Sequence, residues 1–424
     1  MNKYFSNKAL FAGVAGTALQ WYEFAIFGYF APILATTFFP ENNTFVALLS
    51  AFGIFAVGHL LAPLGSIYFG YIGDRLGRKR ALSLSIIAMA IPTALMSFIP
   101  GYAMIGIAAP ILMTLLRLIQ GFVAGSEFTG SAIFLVEHAP HHKKAFYGCL
   151  TSSAYSGGMM LAGIAASFFT ASFMPQWGWR LNGIVALVGA LVIYYLRTQV
   201  TETPDFQKIQ QKQQMSLPFM MALKEAPYTV LGVIGIAWLV GIMTFGTYLY
   251  TVTYLNHYVH VALSDASFII TIALVVDALL EPFIAILADK VGLLWIIIVG
   301  MVTMLLLSIP IFYLLSTGQF SLMMIGLTLM SILIAITYAP MNAYMVSLFP
   351  KEYRYTGFGF AFNLGAALFG GTTPMIMLWL IHQTDNLLSP AWYYMFGTII
   401  GLASLALCEY GRQRIQTANS VLVY

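Results

Sequence analysis

The sequence predicts an all-α integral membrane protein with 12 transmembrane helices in two pseudo-symmetric six-helix bundles. Three observations lead to this fold class: the apolar composition, a series of long apolar stretches, and the placement of the basic residues. Of the 424 residues, 60% are hydrophobic and only 8% are charged, and the mean hydropathy is +0.85. Soluble domains carry about 25% charged residues, so this chain lacks the polar groups to cover a globular surface. The same composition excludes a disordered chain and a disulfide scaffold.

About twelve apolar stretches are long enough for a membrane-spanning helix, which needs roughly 20 residues. Membrane-embedded strands alternate apolar and polar residues, whereas the run from Leu293 to Leu307 does not. Helices are expected because lipid offers the backbone no other hydrogen-bond partner. The stretches lie near residues 10–38, 45–72, 81–99, 105–137, 145–172, 179–197, 228–257, 265–287, 292–315, 319–348, 356–382 and 390–409.

The basic residues predict the orientation of the chain. Of the 19 lysines and arginines, all but Arg117, inside a span, and Arg180 fall in loops on one side of this arrangement. Loops rich in lysine and arginine stay on the cytoplasmic side. We therefore expect a multi-pass protein of the plasma (bacterial inner) membrane with both termini in the cytoplasm.

One long polar connection divides the spans six and six. It predicts an N-terminal six-helix bundle (1–198), a cytoplasmic linker (199–227) and a C-terminal six-helix bundle with a short cytoplasmic tail (228–424). The halves also repeat a motif, because Gly-Asp-Arg-Leu-Gly at 73–77 recurs as Ala-Asp-Lys-Val-Gly at 288–292. A parallel duplication of six-helix units is one known transporter architecture.

Two motifs resemble signatures of the major facilitator superfamily: Gly-Tyr-Ile-Gly-Asp-Arg-Leu-Gly-Arg-Lys-Arg at 70–80 and Arg-Leu-Ile-Gln-Gly at 117–121. A narrower resemblance, to the metabolite–proton symporter family, covers nearly the whole chain. Its segments are 18–24, 62–65, 120–130, 177–181, 202–204 and 361–363. That family takes up proline and betaine, citrate, 2-oxoglutarate or shikimate, so the resemblance implies proton-coupled uptake. The chain departs from the family at Gln20, usually Glu, and at Ala62, usually Arg, so roles tied to those positions do not carry over.

Ionisable side chains inside spans are the strongest functional candidates. Each costs about 2.5–3.5 kcal/mol on translocon-insertion scales, so each is expected to face a cavity, to have a partner or to exchange protons. Because an apolar environment favours the neutral form of a carboxyl group, four acids are predicted to couple transport to protons: Glu23, Glu127, Asp277 and Glu281. For Glu23 and Glu127, a static contact with another helix is the alternative.

Arg117 and Glu127 lie ten residues apart on one helix, about 15 Å along its axis, too far for a direct ion pair. Arg117 is a permanent cation, interpreted as a ligand for a substrate carboxylate or as the partner of a carboxylate on a neighbouring helix. Asp277 and Glu281 are four residues apart and share one helix face. That pair is open to three interpretations: a cation site, a proton site or a lock of the cytoplasmic gate.

Two further sets of residues are assigned roles. Seven are predicted to bind substrate: Gln20, Glu23, Arg117, Glu127, Trp238, Tyr248 and Asn363. Aromatic rings such as Trp238 and Tyr248 would suit a quaternary ammonium group. Five are predicted to gate the cytoplasmic side: Asp74, Arg75, Arg78, Asp289 and Lys290. Asp74 is expected to bond helix N-terminal amides or basic side chains across the bundle interface, whereas Glu137, at a helix end, is assigned to ordinary loop chemistry.

These features predict a proton-coupled symporter of a small polar organic solute that works by alternating access. The predicted spans contain one cation, Arg117, and four acids. A tricarboxylate would need several cations, so this balance favours a zwitterion such as an amino acid or betaine. Two alternatives stay open: an organic-acid symporter of the citrate or 2-oxoglutarate type, and a proton antiporter that exports a drug or siderophore-like compound. The chain has no nucleophile triad, phosphate loop or metal-spaced cysteine pair. It is therefore predicted not to be an enzyme and to need no cofactor, metal or nucleic acid, working as a monomer with its solute, protons and the bilayer as partners.

Overall fold

The computed structural model describes residues 7–39, 53–54, 57–171, 173–209 and 217–421. These residues form helices joined by short turns, and no strand occurs among them. Part of the second predicted span, 45–52 and 55–56, and part of the predicted linker, 210–216, lie outside the described residues.

The chain folds into two compact units. The first comprises Met1–His138 and Ala154–Gln214, and the second comprises Ala139–Ser153 and Met215–Tyr424. The helices of six or more residues that have residues in the first unit are α1 (Asn7–Tyr29), α2 (Ala31–Phe38), α3 (Ala62–Arg75), α4 (Arg78–Met96), α5 (Ala108–His138), α6 (Lys144–Phe169), α7 (Leu181–Thr198) and α8 (Pro204–Ile209). Helix α6 begins in the second unit and ends in the first.

The second unit continues the helical pattern. Its helices are α9 (Pro218–Glu225), α10 (Pro227–Gly241), α11 (Leu263–Val291), α12 (Leu293–Ser316), α13 (Phe320–Tyr338), α14 (Met341–Leu348), α15 (Arg354–Gly365), α16 (Thr373–Thr384) and α17 (Ser389–Val421). Wider π-helical segments extend α10 over Ile242–Tyr250 and α15 over Ala366–Gly370.

Nine helices in the described part of the chain are long and apolar enough to cross a membrane. They match nine of the predicted spans: Arg78–Met96, Ala108–His138, Gly178–Thr198, Pro227–Tyr258, Asp265–Val291, Leu293–Ser316, Phe320–Leu348, Arg354–Thr384 and Ser389–Thr417. The first and fifth predicted spans coincide with α1 and α6, of 23 and 26 residues. At 1.5 Å per residue, each of these helices is also longer than the roughly 30 Å hydrocarbon core.

The last glycine of each copy of the repeated motif lies in the turn between two helices. Gly77 separates α3 from α4 with φ +120, and Gly292 separates α11 from α12 with φ +117. Residues with a Cβ rarely adopt this backbone region. The repeat is therefore conserved in backbone geometry as well as in sequence.

Close helix crossings bring α5 against the second predicted span. A Cβ on Gly121 would overlap the carbonyl oxygen of Gly58, and one on Gly125 would overlap that of Ala62. Small residues allow helix backbones in membranes to approach this closely. This crossing sets the position of the side chains on α5 that form the site.

Candidate functional site

Glu23 lies at the centre of a buried hydrogen-bond network in the first unit. Its Oε2 accepts a hydrogen bond from Thr93 Oγ1 on α4 at 2.5 Å and from Gln120 Nε2 on α5 at 3.3 Å. Gln120 Nε2 also donates to Thr93 Oγ1 at 2.9 Å. Glu23 is only 2% exposed, so three helices enclose this carboxyl group.

Gln120 connects this acid to the fixed cation. Arg117 Nη1 donates to Gln120 Oε1, one turn away on the same helix. The guanidinium carbon lies 4.4 Å from the ring centroids of both Phe24 and Phe27 on α1, an arrangement that stabilises a buried cation. The structure therefore places Glu23 and Arg117 in one network with an amide between them.

Gln20 borders the same network. It lies on α1 one turn before Glu23, and its Nε2 donates to the carbonyl oxygen of Ala124 on α5 at 2.9 Å. Its side chain is buried. Of the predicted substrate-binding residues, Gln20, Glu23 and Arg117 are thus close together.

Glu127 has a different environment. It forms an ion pair with Arg197 of α7 and accepts a hydrogen bond from Ser85 Oγ of α4 at 2.7 Å. Arg197 also donates to the carbonyl oxygens of Ala12 and Leu82. Both charged partners are buried, at 1% and 3% exposed, so Glu127 is held where α1, α4, α5 and α7 meet.

The location of Arg197 corrects the sequence analysis, which counted it among the cytoplasmic loop cations. Helix α7 continues to Thr198, and the long arginine side chain turns back from the helix end into the protein. No spacing rule in the sequence links Arg197 to Glu127, 70 positions away. The missed pair is visible only in the folded chain.

Asp277 and Glu281 are both buried on α11. Glu281 Oε2 accepts hydrogen bonds from the hydroxyl groups of Ser152 and Ser153 at 2.8 Å each. Asp277 lies one helical turn away, on the same face of α11. The serines are part of the second unit, and nothing in the sequence predicts their role.

Two of the predicted gating residues of the first unit, Asp74 and Arg78, form a buried ion pair. Arg78 Nη1 donates to Asp74 Oδ1 at 2.8 Å, and its Nε lies 3.5 Å from Glu137 Oε2. Thr203 Oγ1 donates to Glu137 at 2.7 Å. Glu137 is thus part of a buried charge cluster, and its assignment to ordinary loop chemistry is wrong, because the linker segment covers this helix end.

The linker also meets the loop backbone. The carboxylate of Glu202 accepts from the backbone N–H of Lys79 at 3.1 and 3.2 Å. Burial raises the pKa of Glu202, against the opposing effect of the hydrogen bonds from the backbone N–H groups of Thr203 and Lys79. Arg75, the residue after Asp74 in the chain, is half-buried.

Asp289 and Lys290 belong to the equivalent turn of the second unit. Asp289 accepts hydrogen bonds from the backbone N–H groups of Ala145 and Phe146, at 2.8 and 3.0 Å, in the first turn of α6. A carboxylate at a helix N-terminus is stabilised by the unpaired amides there. Lys290 is exposed.

The remaining predicted substrate contacts lie in the second unit. Trp238 Nε1 donates to the hydroxyl of Tyr393 at 3.1 Å, and its ring stacks on Phe369 at a centroid distance of 3.9 Å. Tyr248 donates to Ser331 at 3.4 Å, and Asn363 Nδ2 donates to the carbonyl oxygen of Gly359 on its own helix at 2.8 Å. These three stay predictions.

Comparison with known proteins covers nearly the whole chain. Residues 8–217 match the family model "Sugar (and other) transporter", and residues 235–419 match "Major Facilitator Superfamily". Among solved structures, the proton:xylose symporter XylE has a TM-score of 0.78 at 17% identity, with 94% of each chain covered. The human organic anion transporter MFSD10 has a TM-score of 0.69 at 14% identity, with 95% of this chain and 100% of that chain covered. These structures share the fold.

Curated relatives are more similar in sequence. The proline/betaine transporter of Salmonella typhimurium is 32% identical, with 98% of this chain and 85% of that protein covered. The glycine betaine/proline/ectoine/pipecolic acid transporter OusA of Dickeya dadantii and the ectoine/proline transporter ProP of Corynebacterium glutamicum are also 32% identical, each with 93% of this chain and 82% of the relative covered. The predicted 12-helix membrane fold is confirmed, and the chain belongs to the major facilitator superfamily, among the metabolite symporters related to proline/betaine transporters.

Proposed function

We propose that this protein is a proton-coupled symporter that takes up a small zwitterionic solute, an amino acid or a betaine, by alternating access. The observation that carries the proposal is the buried series Glu23, Gln120 and Arg117, which holds an acid and a permanent cation in one network. The names of the relatives, as transporters of proline, betaine or ectoine, support the substrate class.

Arg117 is the proposed ligand for the substrate carboxylate. In the structure it donates to the amide oxygen of Gln120, a neutral acceptor. A carboxylate brings a negative charge to the guanidinium and accepts two parallel N–H···O bonds from it, whereas the amide oxygen of Gln120 accepts from Nη1 alone. A substrate carboxylate would therefore displace Gln120 from Arg117, and the planar guanidinium favours bidentate binding.

Gln120 provides the link to the proton. Its amide nitrogen donates to Glu23 while its amide oxygen accepts from Arg117. Displacing the oxygen would reorient the whole amide and change the hydrogen bonds that Glu23 receives. Substrate binding and protonation of Glu23 would then affect one another, as symport requires, since coupling between two ligands is reciprocal. Gln20 is proposed to line the same site.

Glu127 is proposed as a second proton carrier. Protonation would remove the negative charge of its pair with Arg197 and weaken the contacts that hold α1, α4, α5 and α7 together. Asp277 and Glu281 are the corresponding candidates in the second unit. The loops around Asp74, Arg75 and Arg78, and around Asp289 and Lys290, are proposed to gate the cytoplasmic side.

The remaining features of the proposal concern the whole chain. We propose that the protein spans the bacterial inner membrane several times, with both termini in the cytoplasm as the basic loops predict. It works as a monomer with bundles at 1–198 and 228–424 and a cytoplasmic linker at 199–227.

Transport by the purified protein in proteoliposomes tests the proposal. Counterflow of radiolabelled proline, glycine betaine and 2-oxoglutarate is measured for the natural chain, for Arg117→Lys and for Arg80→Lys. Arg80 is exposed and serves as a matched control, because the same substitution is made there. We expect exchange of a zwitterion, at least a tenfold loss in Arg117→Lys and no change in Arg80→Lys. Exchange of the diacid alone would contradict the proposal.

Glu23→Gln tests the coupling separately from binding. Glutamine keeps the shape of the side chain but carries no titratable proton. We expect the variant to lose accumulation driven by an imposed inward proton gradient while keeping counterflow, because exchange requires no net proton movement. Undiminished gradient-driven accumulation would exclude the proposed role of Glu23, and solute efflux driven by the same gradient would indicate an antiporter.

A further inference from the structure

A cluster of buried oxygen atoms lies in the second unit, where α11 meets the first turns of α6. At its centre, Glu281 Oε2 accepts hydrogen bonds from Ser152 and Ser153, each at 2.8 Å. Glu281 is 0% exposed. Two hydroxyl groups from one helix thus converge on one oxygen of a carboxyl group on another.

The second oxygen of the same carboxyl group is unsatisfied. Glu281 Oε1 is buried and has no hydrogen-bond partner among the described residues. Asn342 Oδ1 on α14 is also a buried acceptor without a partner there, while its Nδ2 donates to the carbonyl oxygen of Gly148 at 3.3 Å. Gly148 lies one turn before Ser152 on α6, so the Asn342 amide is close to the cluster. Buried polar atoms normally have a partner, and both of these need a positively charged or donor group.

The negative charge of the cluster also favours a bound cation. Asp277 lies one turn from Glu281 and is 1% exposed. Two carboxyl groups so placed cannot both be ionised at low cost without a compensating cation.

A proton satisfies only part of this arrangement. A proton on Oε2 would be accepted by a serine hydroxyl, since Ser152 Oγ has a second acceptor in the carbonyl oxygen of Cys149 at 2.8 Å. Glu281 Oε1 and Asn342 Oδ1 would still lack a partner among the described residues. A metal cation contacts several oxygens at once, and hard cations select carboxylate, carbonyl and hydroxyl oxygen ligands. A divalent ion usually draws on more carboxylates. Among the described residues no group of three or more His, Cys, Asp and Glu side chains is placed to hold a metal ion.

We propose that this cluster binds one Na⁺ ion, in competition with a proton. Its ligands would be Glu281, Asp277, the hydroxyl oxygens of Ser152 and Ser153, and the amide oxygen of Asn342. The site would supply a second coupling ion to the transporter. Only this role in transport rests on the proposed function, because Na⁺ binding itself is measurable without any solute.

Thermal unfolding of the purified protein in detergent tests the proposal at pH 8, with NaCl replaced stepwise by choline chloride at constant ionic strength. A ligand that binds the folded state raises the unfolding temperature as its concentration rises. We expect such a rise with Na⁺, and none with added Mg²⁺ or Ca²⁺. Because the ligand carboxylates must be deprotonated, the apparent Na⁺ dissociation constant should increase by up to about tenfold per pH unit as the pH is lowered.

Variants locate the binding. Glu281→Gln should raise the apparent Na⁺ dissociation constant at least tenfold, whereas Glu23→Gln, a buried acid of the other unit changed in the same way, should leave it unaltered. Should Glu281→Gln fail to fold, Ser152→Ala with Ser153→Ala gives the same comparison, since it removes two neutral ligands. No Na⁺-dependent shift in the natural protein, or an equal shift in the ligand variants, would overturn the proposal. Na⁺ binding without zwitterion exchange would contradict only the proposed function, and exchange without Na⁺ binding only this inference.

Discussion

The two turns built by the repeated motif have the same backbone and different partners. Gly77 and Gly292 both adopt φ near +120, and each follows an aspartate by three residues. In the first unit, Asp74 binds the buried side chain of Arg78. In the second unit, Asp289 binds backbone amides at the start of α6.

This difference separates what the duplication preserved from what it changed. Only glycine reaches this backbone conformation at low cost, so the turn depends on one residue in each copy. The partner of the aspartate depends on what packs against the turn, which is Glu137 and the linker residues in one case and the N-terminus of α6 in the other. The first turn is thus a buried charge cluster, and the second is a helix cap.

The largest expected difference between the turns concerns their basic residues. Arg78→Gln leaves Asp74 and Glu137 buried without their cation, and breaking a buried ion pair costs about 3–5 kcal/mol. Lys290→Gln changes an exposed residue and should leave the stability unaltered. The free energy of unfolding in detergent checks both. Equal effects would show that the first turn is not a buried cluster in solution.

The two glycines should differ by a smaller amount. Alanine at either position costs about 1–3 kcal/mol of backbone strain. At Gly77 the added Cβ would also overlap the carboxylate of Glu202, whereas at Gly292 its nearest neighbour is Trp295 Cδ1 at 3.8 Å. We expect Gly77→Ala to lower the unfolding temperature more than Gly292→Ala. The reverse order would contradict the contact between the linker and the first turn.

Asp289, which caps α6, should contribute less to the stability of the protein than Arg78 or the two glycines. Asp289→Ala removes the acceptor of two amides at the start of α6, and loss of such a cap costs about 0.5–2 kcal/mol. Asp289→Asn keeps one acceptor oxygen but replaces the other by an NH2 group, so it loses the charge and one of the two hydrogen bonds, and its effect should be smaller. Chemical denaturation of the two variants in parallel measures what the remaining hydrogen bond contributes. A loss in Asp289→Asn as large as in Asp289→Ala would contradict a contribution from that hydrogen bond.

The smallest expected effect is a pH dependence at Glu202. Burial raises the pKa of this group, so the folded state binds its proton more tightly than the unfolded state does. Its contribution to stability is then complete below the unfolded pKa, about 4.3, and is lost as the pH rises through the raised pKa. Unfolding temperatures between pH 4 and pH 8 should fall more steeply for the natural chain than for Glu202→Gln. Parallel curves would indicate that Glu202 titrates alike in both states.

The candidate site was partly predictable. Glu23 and Arg117 stand out because charged residues are rare in apolar spans, and the structure joins them. Gln120 was visible as part of a motif, but its position between them was not. Thr93 and Ser85 lie in apolar helices and carry no local signal, since a single hydroxyl fits into a span by bonding its own backbone.

The sequence by itself determined the membrane-spanning helices and their number, because hydrophobicity and span length act locally along the chain. The partners of the buried charges were decided only by the tertiary structure. Arg197 reaches Glu127, and Ser152 and Ser153 reach Glu281, across separations of 70 to 129 residues. Electrostatic and hydrogen-bond partners depend on distance in space, which helix packing sets and sequence spacing does not contain.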